Sequence, residues 1–169
     1  MESAVKKLKV YCETSFWSYL VGGPTSDEKV ARWQALTRKW WEEIAPKCEI
    51  YVSQHVFRES IKGNHDKAAQ RLGLIAAAHE VDGSGDDINR LSALLTTSHA
   101  IPDTESTDAE HIATASVRGL DVLLTWNCRH LANPRTLPRT VSVVARAGYE
   151  CPAILTPEEF LNRREEFGI

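Results

Sequence analysis

The sequence predicts an α/β fold, a mainly parallel sheet with helices on both faces. Two observations lead there. Short runs rich in Val, Ile, Leu and Tyr recur along the chain, and segments with helical spacing lie between them. Strands that alternate with helices in this way pack as a parallel sheet covered by helices. The 169 residues suit one domain, large enough to bury roughly two-thirds of its unfolded surface.

Taken in order, Leu8–Cys12 alternates in strand fashion and runs directly into Glu13-Thr14-Ser15. A helix begins over Phe16–Leu20, and Gly22-Gly23-Pro24-Thr25-Ser26 interrupts it. Asp27–Ile44 reads as a long amphipathic helix, with Val30, Trp33, Leu36, Trp40, Trp41 and Ile44 at helical spacing. Five tryptophans are many for this length, and three of them lie in this stripe. Core packing explains them most simply; a surface for a partner subunit is the alternative. Glu49–Ser53 is a second strand, and Ser53 is placed to N-cap a helix from Gln54 to about Lys62. Ala68–Ala78 and Asp86–Ser98 read as helices, separated by a flexible turn at Asp82-Gly-Ser-Gly85. Ala100–Thr107 is a loop. Thr107-Asp-Ala-Glu110 fits a capping box opening a helix to about Arg118, with Gly119 as its breaker. Asp121–Thr125, Thr140–Val144 and Ala153–Leu155 are the remaining strands. Thr156-Pro157 caps and opens a last helix.

Net charge is −3 and hydrophobic content 43%. That balance argues against a protein that coats nucleic acid, while leaving room for local binding. Cys12, Cys48, Cys128 and Cys151 form no CxxC pair, so reduced thiols and a cytoplasmic setting are expected. The polar, lysine-bearing start, Met1 to Lys9, does not read as a secretory leader, and no run is long enough to span a membrane.

Sites in open parallel sheets form beyond the carboxyl ends of the strands, where the strand order reverses. The first strand delivers Glu13, Thr14 and Ser15 there, the second Ser53 and then Glu59, the third Asn127. Asp108 reaches the same place if the loop before it crosses the strand ends. Carboxylates gathered in one pocket stay ionised when a cation neutralises them, and hard oxygen donors favour Mg²⁺ or Mn²⁺. Other roles exist for each residue. Glu13 could serve a structural salt bridge, Glu59 is ordinarily an exposed helix carboxylate, and Asp108 could simply open a helix. Glu110 completes the capping box, Asn127 suits a turn, and Thr14 and Ser15 either cap the next helix or face metal-held water. No histidine pair has HExxH spacing, which leaves His111 and His130 without a zinc motif.

At these residues the chain resembles the PIN-domain nucleases, and among them the VapC-type toxins of toxin–antitoxin pairs. The matching segments are Val10–Ser15, Ser53 with Glu59, Thr107–Ala115, Leu123–Asn127 and Thr156–Leu161, and the resemblance spans nearly the whole chain as one PIN-like nuclease domain over 1–169. It implies a three-layer sandwich around a twisted five-stranded sheet. It also implies an endoribonuclease dependent on Mg²⁺ or Mn²⁺, an antitoxin partner and a homodimer. Glu13, Asp108 and Glu59 become the metal ligands, Asn127 a fourth catalytic position, and Thr14, Ser15 and Ser53 supporting residues. Arg129 and His130 are candidate contacts to RNA. Arg58, Lys62, Arg118, Arg135 and Arg139 are further candidates for phosphate, although most such charges are simply solvated. Two departures stand out: Glu13 replaces the usual Asp, adding a methylene, and Asn127 replaces an acid, removing a charge. Two other readings follow, a non-catalytic RNA- or protein-binding module on the same fold and a different phosphohydrolase. The absence of a DxDx[TV] motif counts against an aspartyl-phosphate version of the latter, and there is no GxGxxG or P-loop motif for a nucleotide.

Overall fold

Five parallel strands form a single sheet in the order β3-β2-β1-β4-β5 in the computed structural model, which describes residues 6–169. The strands are β1 (Leu8–Cys12), β2 (Cys48–Ser53), β3 (His79–Val81), β4 (Val122–Leu124) and β5 (Ala153–Leu155). The first residues of the polar start lie outside this range. β1 occupies the centre because Val10, Tyr11 and Cys12 are fully buried, as a strand covered on both faces must be. The chain fills one side of β1 with β2 and β3, then crosses to the other side for β4 and β5. The order therefore reverses beside β1, and the crevice that such a reversal opens lies beyond Cys12 and Leu124.

Among the described residues, eight α-helices flank this sheet: α1 (Thr14–Leu20), α2 (Glu28–Glu43), α3 (Gln54–Ser60), α4 (His65–Ile75), α5 (Asp86–Thr97), α6 (Ser106–Val117), α7 (Leu137–Arg146) and α8 (Pro157–Asn162). The predicted α/β fold with a parallel five-stranded sheet is the observed one. Ser53 caps α3 by accepting from His55 N at 3.3 Å, as its position suggests. Thr156 caps α8 with Pro157 at the first position, and Glu159 closes a full capping box. All four cysteines are free thiols. Among the described residues, no helix is long and apolar enough to cross a membrane.

Three segments differ from the sequence expectation. Thr140–Val144 is not a strand but the middle of α7. Its valines alternate, yet the buried pair is Thr140 and Val144, one helical turn apart, while Val141 is 45% exposed. The fifth strand is instead β3, three residues with largely exposed side chains at the sheet edge, where the expected helix over Ala68–Ala78 has already ended at Ile75. Such an edge strand buries too little to carry an apolar signal. Finally, Thr107 caps nothing, because α6 begins at Ser106 and Glu105 occupies the N-cap position without a side-chain cap. Glu110, freed from the expected box, lies 3.1 Å from Nδ1 of His55.

The tryptophan stripe is packing. Trp40 is fully buried, edge-on to Phe16 and Phe160, and Trp41 packs against Phe16 and Trp17. Trp33 stacks on Trp126 with ring centroids 4.6 Å apart, and Lys29 covers the ring at 4.5 Å. Edge-to-face and offset aromatic pairs of this kind contribute roughly 0.5–1.5 kcal/mol each beyond area burial. The Trp126 indole donates to Thr37 Oγ1 at 2.8 Å, which pins the residues after β4 to α2. The Asp82–Gly85 turn, expected to be flexible, is anchored at Gly83, whose N–H donates to Gln54 Oε1 and whose carbonyl accepts from His55 Nε2.

Candidate metal centre

The carboxyl ends of β1 and β4 bring Glu13 and Thr125 side by side. Glu13 N donates to Leu124 O at 3.0 Å, so the central strand pair continues one residue past Cys12 and fixes the Glu13 backbone. The Glu13 side chain is only 5% exposed. Its Oε2 accepts from Ser15 Oγ at 2.5 Å and from Thr125 Oγ1 at 2.8 Å. Ser15 Oγ in turn accepts from Trp126 N, and Thr125 Oγ1 from Asn127 N. Both donors converge on Oε2, and among the described residues Oε1 receives none.

Glu59 arrives from α3 with the same division of labour. Its Oε1 accepts from Thr14 Oγ1 at 2.7 Å and from His111 Nε2 at 2.6 Å. Burial pushes the Glu59 pKa up, but the bond and charge of His111, helped by Thr14 and Lys62, outweigh it and hold the group below the usual range. His111 shifts the opposite way. Burial lowers its pKa, but the bond to Glu59 and the charges of Glu13, Glu59 and Asp108 outweigh that and raise it. Both shifts favour an ionised pair. The far ring nitrogen, Nδ1, lies 2.7 Å from Tyr11 Oη, which is 2.8 Å from Ser53 Oγ. Thr14 and Ser15, weighed as caps or water ligands, instead bond Glu59 and Glu13. Ser53 caps α3 and closes the chain behind His111.

Asp108 sits in the first turn of α6, 8% exposed, and accepts from Asn127 Nδ2 at 3.0 Å. Its pKa is raised to about 7 by burial, by the charge of Glu13, and by Glu105 and Glu59, against a lowering by His111. The loop before α6 therefore does pass over the strand ends. Asn127 Oδ1 is occupied by His130 N at 3.1 Å, so the amide presents its NH₂ group, not its oxygen, to Asp108. Arg129 is exposed in the same turn, and His130 Nε2 lies 3.7 Å from Glu105.

Ligand atoms of Glu13, Glu59 and His111 all lie within 4.8 Å of one another. His111 was missed as a member of this cluster. The signal was its spacing: it stands three residues after Asp108, hence on the same helix face. Thr125 was read only as a strand end, and nothing in its sequence context marks the bond to Glu13.

No family model and no curated protein matches the sequence. Solved structures do. VapC20 of Mycobacterium tuberculosis, a sarcin-ricin loop cleaving toxin, superposes with a TM-score of 0.53 at 16% identity, over 72% of this chain and 92% of that one. A chain of VapBC2 from Rickettsia felis, bound to a promoter DNA fragment, gives 0.56 at 13% identity over 87% and 97%. A chain of DNA-bound VapBC from Salmonella typhimurium gives 0.54 at 15% identity over 89% and 98%. The fold is that of the VapC-type toxin structures. At these identities the likeness is one of architecture, and it covers nearly the full length of each VapC-type neighbour.

Proposed function

We propose that the protein is a Mg²⁺- or Mn²⁺-dependent endoribonuclease that hydrolyses RNA phosphodiester bonds, the cytoplasmic toxin of a toxin–antitoxin pair and a homodimer. The observation that carries this reading is the convergence of Glu13 and Glu59 beyond the strand ends, with ligand atoms of the two and of His111 within 4.8 Å of one another, and with the buried Asp108 at the start of α6. A carboxyl group buried at a strand-end crevice beside a second carboxylate is kept ionised by a hard divalent ion, and the oxygen donors fit one. The oxygens left free on Glu13 and Glu59, with the Asp108 carboxylate, would hold it. Such an ion, when bound, activates water and offsets charge developing on the phosphate.

The chain's own residues prepare the rest. Ser15 and Thr125 fix the rotamer of Glu13, and Thr14 and His111 fix that of Glu59. Asn127 donates to Asp108 and orients it. Carboxylates held this way need no rearrangement when a cation arrives. The antitoxin partner is supported by the VapBC assemblies whose fold this chain shares.

Purified protein is expected to cut RNA with Mn²⁺ or Mg²⁺ and to stop with chelator. Glu13→Gln and Asp108→Asn should each abolish cleavage with the fold intact. Wild-type rates in both variants would sink the assignment. A second reading, a non-catalytic RNA- or protein-binding module, draws on the internal satisfaction of the site: His111 already balances Glu59, and Asn127 already partners Asp108. Metal titration separates the two, since no binding below millimolar metal, with RNA bound but uncut, favours the module.

A further inference from the structure

A cleft of about 340 Å³ opens directly beside the acidic centre, between α3 and the start of α6. Glu59 forms part of its wall, Arg58 and Lys62 line one side, and Thr107 the other. Arg58 stands in the last turn of α3 and Lys62 just past its C-cap, Ile61, and both line the same cleft. Both are exposed, and among the described residues neither takes part in an ion pair. Arg32, Arg90, Arg118, Arg163 and Arg164 all do.

The Arg58 guanidinium and the backbone of Lys62 are also held in place. Arg58 Nη2 donates to Nδ1 of His55 at 2.6 Å. His55 is buried and donates through Nε2 to Gly83 O at 2.9 Å. The Lys62 carbonyl accepts from Nη2 of the buried Arg71 at 2.7 Å, and the same guanidinium makes two bonds to Ser60 O. Arg71 thereby satisfies carbonyls at the carboxyl end of α3, which helix geometry leaves unpaired. At the rim, Ile61 is 61% exposed, an apolar surface beside the two charges.

We infer that this cleft is a phosphodiester subsite for the RNA nucleotide next to the bond being cut, with Arg58 and Lys62 on its non-bridging oxygens. The inference rests on the ribonuclease reading of the acidic centre. A chain of net charge −3 with three carboxylates at its centre repels RNA unless cations compensate locally. Arg58 and Lys62 are the unpaired cations lining the cleft that opens onto Glu59. Glu110, also on the cleft, lies 3.1 Å from the same Nδ1 of His55 that Arg58 contacts and, among the described residues, forms no ion pair with Arg58 or Lys62.

The test is binding of a short, fluorescein-labelled, mixed-sequence single-stranded RNA, followed by anisotropy in chelator so that nothing is cut. For the Arg58→Gln/Lys62→Gln protein, the slope of log affinity against log salt should fall by about 1.4, two contacts at ~0.7 each. Affinity at 0.1 M salt should drop roughly 10- to 30-fold. Arg164→Gln, remote on the surface, should leave both unchanged. Because Arg58 also touches His55, Lys62→Glu is measured alone, and it must weaken binding as well. Wild-type affinity and slope in the double variant and in Lys62→Glu overturn the subsite, as does a wild-type protein that binds no RNA. The parent reading fails separately: RNA bound with the expected slope change but never cut with Mn²⁺ removes the nuclease and leaves the subsite.

Discussion

His111 Nε2 lies 2.6 Å from Oε1 of Glu59, and the imidazole is fully buried while the carboxylate reaches solvent. This pair sets one oxygen of Glu59 aside and leaves the other for a cation. Removing the donor should therefore weaken metal binding while leaving every carboxylate in place. His111→Leu is expected to lower Mn²⁺ affinity 10- to 100-fold, the usual cost of losing a partner behind a ligand. His111→Gln keeps an N–H at similar reach and should restore most of it. Calorimetric titration of both variants checks this, and equal affinity in His111→Leu and wild type rules out the positioning role.

Asp108 makes the metal-free protein sensitive to pH. In the unfolded chain its carboxyl ionises near the usual value, whereas in the fold it keeps its proton to about pH 7. The folded state thus binds more protons between about pH 4 and 7, and stability falls as pH rises across that window. Asp108→Asn removes this slope. In chelator at pH 7 the variant should be more stable than wild type, by an amount on the order of 2 kcal/mol. Adding Mn²⁺ should stabilise wild type more than the variant. Denaturant titrations at pH 5 and pH 7.5 read both effects, and parallel curves for the two proteins would count against the buried-acid account.

Tyr11, fully buried, carries the bridge between Ser53 and His111 through a single hydroxyl. Burial pushes its pKa far up, so the phenol stays protonated at any relevant pH. Tyr11→Phe leaves two buried partners short of a bond and should cost about 1–3 kcal/mol in stability. Thermal unfolding measures the loss, and an unchanged midpoint contradicts it.

Gly83 is required by proximity and not by backbone angle. A Cβ there would lie 2.7 Å from two ring atoms of His55, which is buried and cannot swing away. Gly83→Ala should destabilise by about 1–3 kcal/mol, as overpacking does. It should also loosen Arg58, which leans on the same ring. An alanine variant as stable as wild type shows that the turn can shift.

The sheet was legible where strands are buried and flanked by turns, as in β1 with Glu13 at its end. It was illegible where tertiary context overrides local pattern. Val141 and Val143 alternate like a strand, yet Pro138 and the Thr140–Val144 spacing seat them in a helix. β3 hides because an edge strand of His, Glu and Val buries little. At the centre, Glu13, Glu59 and Asp108 were named from sequence, the second leaning most on the resemblance. His111 was set aside because a lone histidine has no spacing motif to find, and its role depends on Glu59 arriving from 52 residues earlier. The direction of the Asn127 amide depends likewise on His130 N, a turn contact that residue identity does not encode.

The central position of β1 has a consequence for synthesis. β1 is made first, yet one of its two neighbours is β4, more than a hundred residues later. Until Val122–Leu124 has left the ribosome, Glu13 lacks the backbone partner and the Thr125 hydroxyl that hold it. A nascent chain up to that point already carries Glu13, Glu59 and Asp108 but lacks the Leu124 carbonyl and Thr125 hydroxyl that seat Glu13 and the Asn127 amide that orients Asp108. The acidic centre is thus assembled late, when most of the chain has been translated, and chains truncated before β4 should be unable to build it.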